Sequence, residues 1–398
     1  MRILVGSGEW FPDSKSGFAR VVTETATRLA ERGHEVEVLA PRQAGEATEM
    51  IAGSLLVRRV LSRNALPLTL TDVAQTRKHA RSYETSSFDV LLGHGSTTAV
   101  GLRASGLRAP LVLAFHASAP REVRFSRSRL PFGKERLGGY AVELPLSLLE
   151  RLAVQRADRI LVLSEFSRSI LLADHRDAAA RARRVVGGVD VSSFCPGDGM
   201  SAARKRLGVR RDLPLLLTVR RLEPRMGLER LLMAAQALVR SRELVLAIVG
   251  TGSLGERLRR LCSDLCIEGR VRFIGQVADD ELRIWYQAAD LFVMPTVAFE
   301  GFGMATIESL ASGTPVVGTP VGATPEILRP LDPQLIAHSS APEGLAAAIA
   351  EALERSGPQF RQRCREYACA QFAWDKVIIG WERELEAATE PGRSATSV

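Results

Sequence analysis

The 398-residue chain has few aromatics, few cysteines and no long apolar run. Phe, Trp and Tyr together make up 6%, too few for the stacking platforms that hold single-stranded nucleic acid. No helix-turn-helix, zinc or RNA-binding signature accompanies them, so nucleic acid is not an expected partner. No apolar stretch approaches the roughly 18 residues that a bilayer-spanning helix needs. The opening Met1-Arg-Ile-Leu-Val-Gly reads as a β-strand. It lacks the apolar stretch and small-residue cleavage site of a secretory leader, and the expectation is a cytoplasmic protein. Of the five cysteines, Cys195, Cys262, Cys266, Cys364 and Cys369, one pair stands a helical turn apart. Neither Cys-x-x-Cys nor a histidine cluster is present, so reduced thiols are expected rather than zinc. The chain also has no phosphate-loop Gly-x-x-x-x-Gly-Lys and no hydrolase nucleophile elbow. It has no Asp-x-Asp pair, and no obligatory metal or other cofactor is expected.

What is present is a balanced globular composition, 46% apolar and 25% charged, with a net charge of +8. That balance suits an anionic substrate or surface. Much of the excess is local: Arg121, Arg124, Arg127, Arg129, Lys134 and Arg136 face only Glu122 and Glu135. A solvated basic loop, a docking patch for an anionic membrane leaflet and a grip for a phosphorylated acceptor all fit that segment.

Short apolar runs alternate with amphipathic stretches almost throughout, the pattern of parallel sheets with crossover helices. In the first half, strands are expected at Ile3–Gly6, Glu35–Ala40, Leu55–Val60, Val90–Gly93, Leu111–Phe115 and Ile160–Leu163. In the second half they are expected at Leu215–Val219, Val245–Val249, Val271–Ile274, Leu291–Met294, Val316–Val317 and Leu335–Ala337. The stretch 185–198 carries little helix signal and reads as a linker. The expected architecture is α/β: two doubly wound, Rossmann-like domains, 1–190 and 191–372, facing across a cleft. A helix at 373–389 crosses back to the first domain, and 390–398 form a disordered tail.

Residues 299–317 carry the most information. Glu300 and Glu308 stand eight residues apart around Gly301-Phe302-Gly303, and Met304 and Ala305 open an apolar helix. Strand, glycine loop and helix together make an anion site from backbone N–H groups and a helix N-terminus. Carboxylates beside a bound phosphate make sense as acceptors for sugar hydroxyls. Other segments fall around this one in order. Trp10 to Arg20, with Gly17, joins the first strand to the first helix. His94 and His116 each end a predicted strand. Leu217-Thr-Val-Arg-Arg-Leu-Glu-Pro-Arg-Met-Gly227 ends another. Gly250-Thr-Gly252 follows the strand at 245–249, and Phe273 lies in the strand at 271–274.

In this order and spacing the chain resembles the retaining, nucleotide-sugar-dependent glycosyltransferases of the GT-B fold with a Glu-x7-Glu signature, glycosyltransferase family four. The resemblance spans roughly residues 1 to 385. It implies transfer of a hexose from a UDP- or GDP-linked donor, with retention at C1, to a carbohydrate, lipid-linked or phosphorylated acceptor. The basic segment 121–136 leaves open peripheral association with the inner face of a membrane. The first domain would bind the acceptor and the second the nucleotide sugar. Glu300 would hold donor-sugar hydroxyls and Glu308 the ribose. Gly17, Gly252 and the backbone at Gly303 and Met304 would approach the donor, Phe273 would lie beside the nucleobase, and His116 would face the reactive carbon or the acceptor.

The chain departs from the pattern at several points. Ser16 stands where a second glycine is usual, and Gly187 where an asparagine is usual. The Gly-Arg-Leu-x-x-x-Lys-Gly segment, whose Arg and Lys neutralise the leaving diphosphate, reads Arg220-Arg221-Leu222 and then Met226-Gly227. Arg221 matches the Arg. The Lys has become Met226, and the neighbouring Arg225 is expected to substitute for it. A nucleotide-sugar epimerase, a phosphorylase or a non-catalytic sugar-nucleotide binder are the competing readings, the last because of Met226.

Overall fold

A computed structural model describes residues 1–42, 49–62, 68–129 and 134–390. The described chain divides into two compact units. One is Met1–Gly187 with the C-terminal segment from Trp374, and the other is Gly188–Ala373. Of the expected tail, 390–398, residues 391–398 lie outside the described residues.

The first unit is built on strands β1 (Arg2–Ser7), β2 (Glu35–Arg42), β3 (Glu49–Ala52), β4 (Leu55–Ser62), β5 (Val90–His94), β6 (Leu111–Phe115), β7 (Arg159–Val162) and β8 (Ala182–Arg184). Their order in the sheet is β3-β4-β2-β1-β5-β6-β7-β8. Ile3, Leu4 and Val5 of β1 are fully buried, as expected of a central strand covered by helices on both faces. β1 pairs in parallel with β2 and β5, bringing Val5 level with Val38 and Leu92. The short β3 is antiparallel to β4, a correction to the expectation of purely parallel pairing. The two-residue turn Gly53-Ser54 joins them and leaves no room for a crossover helix.

The helix Gly17–Glu31 follows β1. Ser16 caps it, accepting from the Ala19 N–H at 3.0 Å, and Ala19, Val22, Ala26 and Leu29 form its buried stripe. The C-terminal helix Trp374–Thr389 belongs to the same unit. Trp381, fully buried, donates to the Val186 carbonyl at 3.1 Å. Glu384 accepts from Arg159 at 2.5 Å, and Glu382 accepts from Arg32 at 2.8 Å.

The second unit holds β9 (Leu215–Val219), β10 (Val245–Val249), β11 (Val271–Gly275), β12 (Leu291–Met294) and β13 (Val316–Gly318). All are parallel, in the order β11-β10-β9-β12-β13. The strand expected at Leu335–Ala337 is not formed. Pro333–Leu335 is a single 3-10 turn capped by Asp332, and only an isolated bridge joins Ile336 to Gly318. Pro333 has no N–H to give to a ladder, and Asp332 spends its carboxylate on the Gln334 N–H at 3.0 Å.

Candidate active site

Each sheet has one point where the chain reverses its direction of winding. In the first it lies between β1 and β5, and in the second between β9 and β12. Loops leaving the carboxyl ends of strands at such a point form the binding crevice of doubly wound sheets. The segment from Trp10 to Arg20 follows β1, His94 ends β5, the segment from Arg220 to Gly227 follows β9 and the loop from Pro295 to Gly303 follows β12, whereas His116 follows β6, Gly250 to Gly252 follow β10 and Phe273 lies within β11.

In the second unit, Arg220 leaves β9 with its N–H bonded to Val249 at 2.9 Å. Its guanidinium is buried and reaches across to the loop after β12. Nη2 donates to Glu300 Oε2 at 2.5 Å, and Nη1 donates to Thr296 Oγ1 at 2.7 Å. Nη2 also lies 3.0 Å from Met226 Sδ, and Nη1 contacts Met294 Sδ. Thr296 Oγ1 in turn donates to Glu300 Oε2 at 3.0 Å. Burial alone would raise the Glu300 pKa. The Arg220 charge and hydrogen bond, the Arg225 charge and the Thr296 hydroxyl outweigh it and hold the carboxyl below its usual range.

Arg225 Nη1 donates to the Phe299 carbonyl at 3.1 Å. Phe299 itself has φ 54°, uncommon for a side-chain-bearing residue. Arg221 is exposed, and among the described residues its guanidinium has no hydrogen-bond partner. Gly301 and Phe302 lead into Gly303, the N-cap of the helix Met304–Ala311. Apart from Ala305 that helix is buried on every side, so it is a core element rather than an amphipathic one. Glu308 is correspondingly buried and accepts from the Tyr286 hydroxyl at 2.9 Å.

Gly252 serves packing. A Cβ there would stand 2.6 Å from both N and O of Leu222. Its absence lets the 250–253 loop lie on the loop after β9, where Leu222 N–H donates to the Thr251 carbonyl at 2.9 Å. Phe273 lies under the Arg259 guanidinium, 4.5 Å from the ring centre. It also borders an open depression of about 760 Å³ at the sheet edge, together with Arg206, Arg272, Ile284 and Trp285.

In the first unit, Phe18, next to exposed Gly17, meets the His116 ring edge-on at 4.5 Å. His116 Nε2 and His94 Nδ1 are 3.0 Å apart, so one ring donates and the other accepts. Burial pushes the His116 pKa down to about 3 and, with the neighbouring His116, holds His94 well below its ordinary value. His94 also stacks on Trp381 of the C-terminal helix at 6.0 Å.

Residues 15–193 match the model of Glycosyltransferase Family 4, and residues 200–371 match that of Glycosyl transferases group 1. D-inositol 3-phosphate glycosyltransferase of Mycolicibacterium gilvum is 30% identical over 385 residues, covering 92% of this chain and 84% of the relative. The chain belongs to the family-four glycosyltransferases. The enzyme of the same name from Mycolicibacterium smegmatis is 31% identical over 383 residues, covering 92% of this chain and 85% of that one. Among solved structures, sucrose-phosphate synthase from Thermosynechococcus elongatus superposes with a TM-score of 0.80 at 21% identity, covering 98% of this chain and 100% of that chain. Anabaena HepE in complex with UDP-glucose gives a TM-score of 0.75 at 19% identity, covering 97% and 100%. The fold of this glycosyltransferase is GT-B, two Rossmann-like α/β units.

Two features of this glycosyltransferase escaped sequence reasoning. The Arg220 side chain touches both Met226 and Glu300. The partner of Glu308 is Tyr286, 22 positions away. Three of the six cations in the basic segment are paired: Arg121 with Asp174 at 2.6 Å, and Arg124 and Arg127 both with Glu143 at 2.7 Å. The side chains of Lys134 and Arg136 lie outside the described residues. Among the described residues, no helix is long and apolar enough to cross a membrane, and no group of three His, Cys, Asp or Glu is gathered to hold a metal.

Proposed function

We propose that this glycosyltransferase moves a hexose from a UDP- or GDP-linked donor to a phosphorylated hydroxyl compound, with retention at C1. The observation that carries the reading is the Glu300 carboxylate, kept ionised between Arg220, Arg225 and Thr296 at the switch point of the second sheet. An ionised carboxylate that is largely, but not fully, shielded from solvent is a strong acceptor for sugar hydroxyls. The relatives named for an inositol phosphate acceptor support a phosphorylated acceptor, and HepE with UDP-glucose bound supports a nucleotide-sugar donor.

The chemistry is departure of a nucleoside diphosphate from C1. Negative charge grows on the phosphate as the bond breaks, and preorganised cations and N–H groups stabilise that charge more than they stabilise the bound donor. In this reading Arg221, Arg225 and the backbone at Gly303 and Met304 supply them. Glu300 holds the donor sugar. Glu308, oriented by Tyr286, takes the ribose hydroxyls. Neutral His116, in the first unit, donates to or accepts from a hydroxyl of the acceptor. Phe273 and the apolar strand end beside it receive the base. Because arginines carry the phosphate charge, no obligatory metal is proposed, and dialysis against a chelator leaves turnover unchanged.

The test is incubation with UDP- and GDP-hexoses, with and without an inositol phosphate. Nucleoside diphosphate release that rises with acceptor, and a product with the donor's anomeric configuration by NMR, are expected. An inverted product overturns retention. Tight nucleotide binding without any turnover favours a non-catalytic binder.

A further inference from the structure

Two departures from the family's sequence pattern meet in space. The position usually held by glycine is Arg220, and the position usually held by lysine is Met226. The structure places Arg220 Nη2 3.0 Å from Met226 Sδ and 2.5 Å from Glu300 Oε2. We propose that Arg220 and Met226 are a linked exchange, in which the buried guanidinium of Arg220 leaves no place for a second cation at 226 and acts as the positioning residue for Glu300. This rests on the transfer reaction proposed above.

Three observations support it. The pocket that receives the guanidinium is buried. Its walls are the sulfurs of Met226 and Met294, the Thr296 hydroxyl and one carboxylate. A lysine at 226 would bring a second positive charge against Arg220, whereas a methionine thioether fills the same space without charge. Second, Arg220 and Thr296 both donate to Oε2 of Glu300. Among the described residues Oε1 has no donor, so the carboxylate is turned with one oxygen available to a substrate hydroxyl. Third, Arg220 holds its place through its backbone as well as its side chain. Its N–H is bonded to Val249, and its carbonyl carbon and oxygen pack on Gly250, where a Cβ would come within 1.9 Å of the oxygen.

The exchange is tested by a cycle of wild type, R220G, M226K and R220G/M226K, with R220K as the conservative variant and thermal melts to confirm folding. In R220G, kcat for nucleoside diphosphate release falls about 10²-fold because Glu300 loses its orientation. The acid limb of the kcat profile moves to higher pH, since a buried carboxylate without its cation protonates more readily. M226K alone also loses activity, and R220K retains more than R220G. The double variant recovers above both singles, a coupling on the order of tenfold between side chains in contact. The Glu300 carboxyl, followed by ¹³C NMR against E300Q, titrates higher in R220G whether or not the protein turns over. A silent wild type in which that titration still moves sinks the transfer reaction and leaves the exchange standing. An active wild type whose kcat and Glu300 titration are unchanged in R220G overturns the exchange, as does M226K matching or exceeding wild type.

Discussion

Tyr286 donates its buried hydroxyl to Glu308 Oε2 at 2.9 Å, tying the helix Asp279–Ala288 to the helix Met304–Ala311. Tyr286→Phe leaves a buried carboxylate short of a donor, a loss of about 1–3 kcal/mol. The proposed ribose contact is remote from the breaking bond. The variant is therefore expected to raise the donor KM more than it lowers kcat, as measured by initial rates over donor concentration.

Gly322 is pressed against Glu300. Its φ is +67°, and a Cβ there would stand 2.5 Å from the Glu300 carbonyl oxygen and 2.6 Å from its Cβ. The next residue, Ala323, donates its N–H to that carbonyl at 2.9 Å. Gly322→Ala forces the left-handed backbone on a side-chain-bearing residue, at about 1–3 kcal/mol. It also displaces Glu300, with kcat falling about 10²-fold. Thermal melts and single-turnover rates separate the two effects. An unmoved kcat in a destabilised protein argues against the placement of Glu300.

His94 and His116 make the fold acid-sensitive in a defined window. Both are neutral in the folded chain, His116 with a pKa of about 3, whereas in the unfolded chain both protonate near pH 6.5. Their contribution to stability is complete above about pH 6.5 and declines as the pH falls from there toward 3. His116→Asn removes one such group. The loss of stability between pH 7.5 and pH 5, from urea melts, should be smaller in this variant than in wild type by up to about 2 kcal/mol.

Much of this was legible in the chain because it depends on local pattern. Continuous apolar runs such as Ile3–Val5 announce central strands, and the glycine loop from Gly301 to Gly303 announces a turn into a helix. The spacing of Glu300 and Glu308 announces the family. What was hidden depends on pairings distant in sequence. β9 and β12 are neighbours in the sheet, and that adjacency alone carries Arg220 to Glu300, 80 residues away. Reading along the chain favoured Arg225, the nearest arginine to Met226. It could not show that the side chain entering from β9 already fills the space beside the methionine. The hairpin of β3 and β4 and the failed strand at Leu335–Ala337 were missed for a similar reason. Each depends on what a neighbouring backbone offers or withholds.

The most direct test of the account is nucleoside diphosphate release from a UDP- or GDP-hexose by wild type and by Glu300→Gln at pH 7.5, in the presence of an inositol phosphate. The account predicts turnover in wild type and a loss of about 10²–10³-fold in the variant, with its fold intact by circular dichroism. Turnover in Glu300→Gln equal to that of wild type would contradict it.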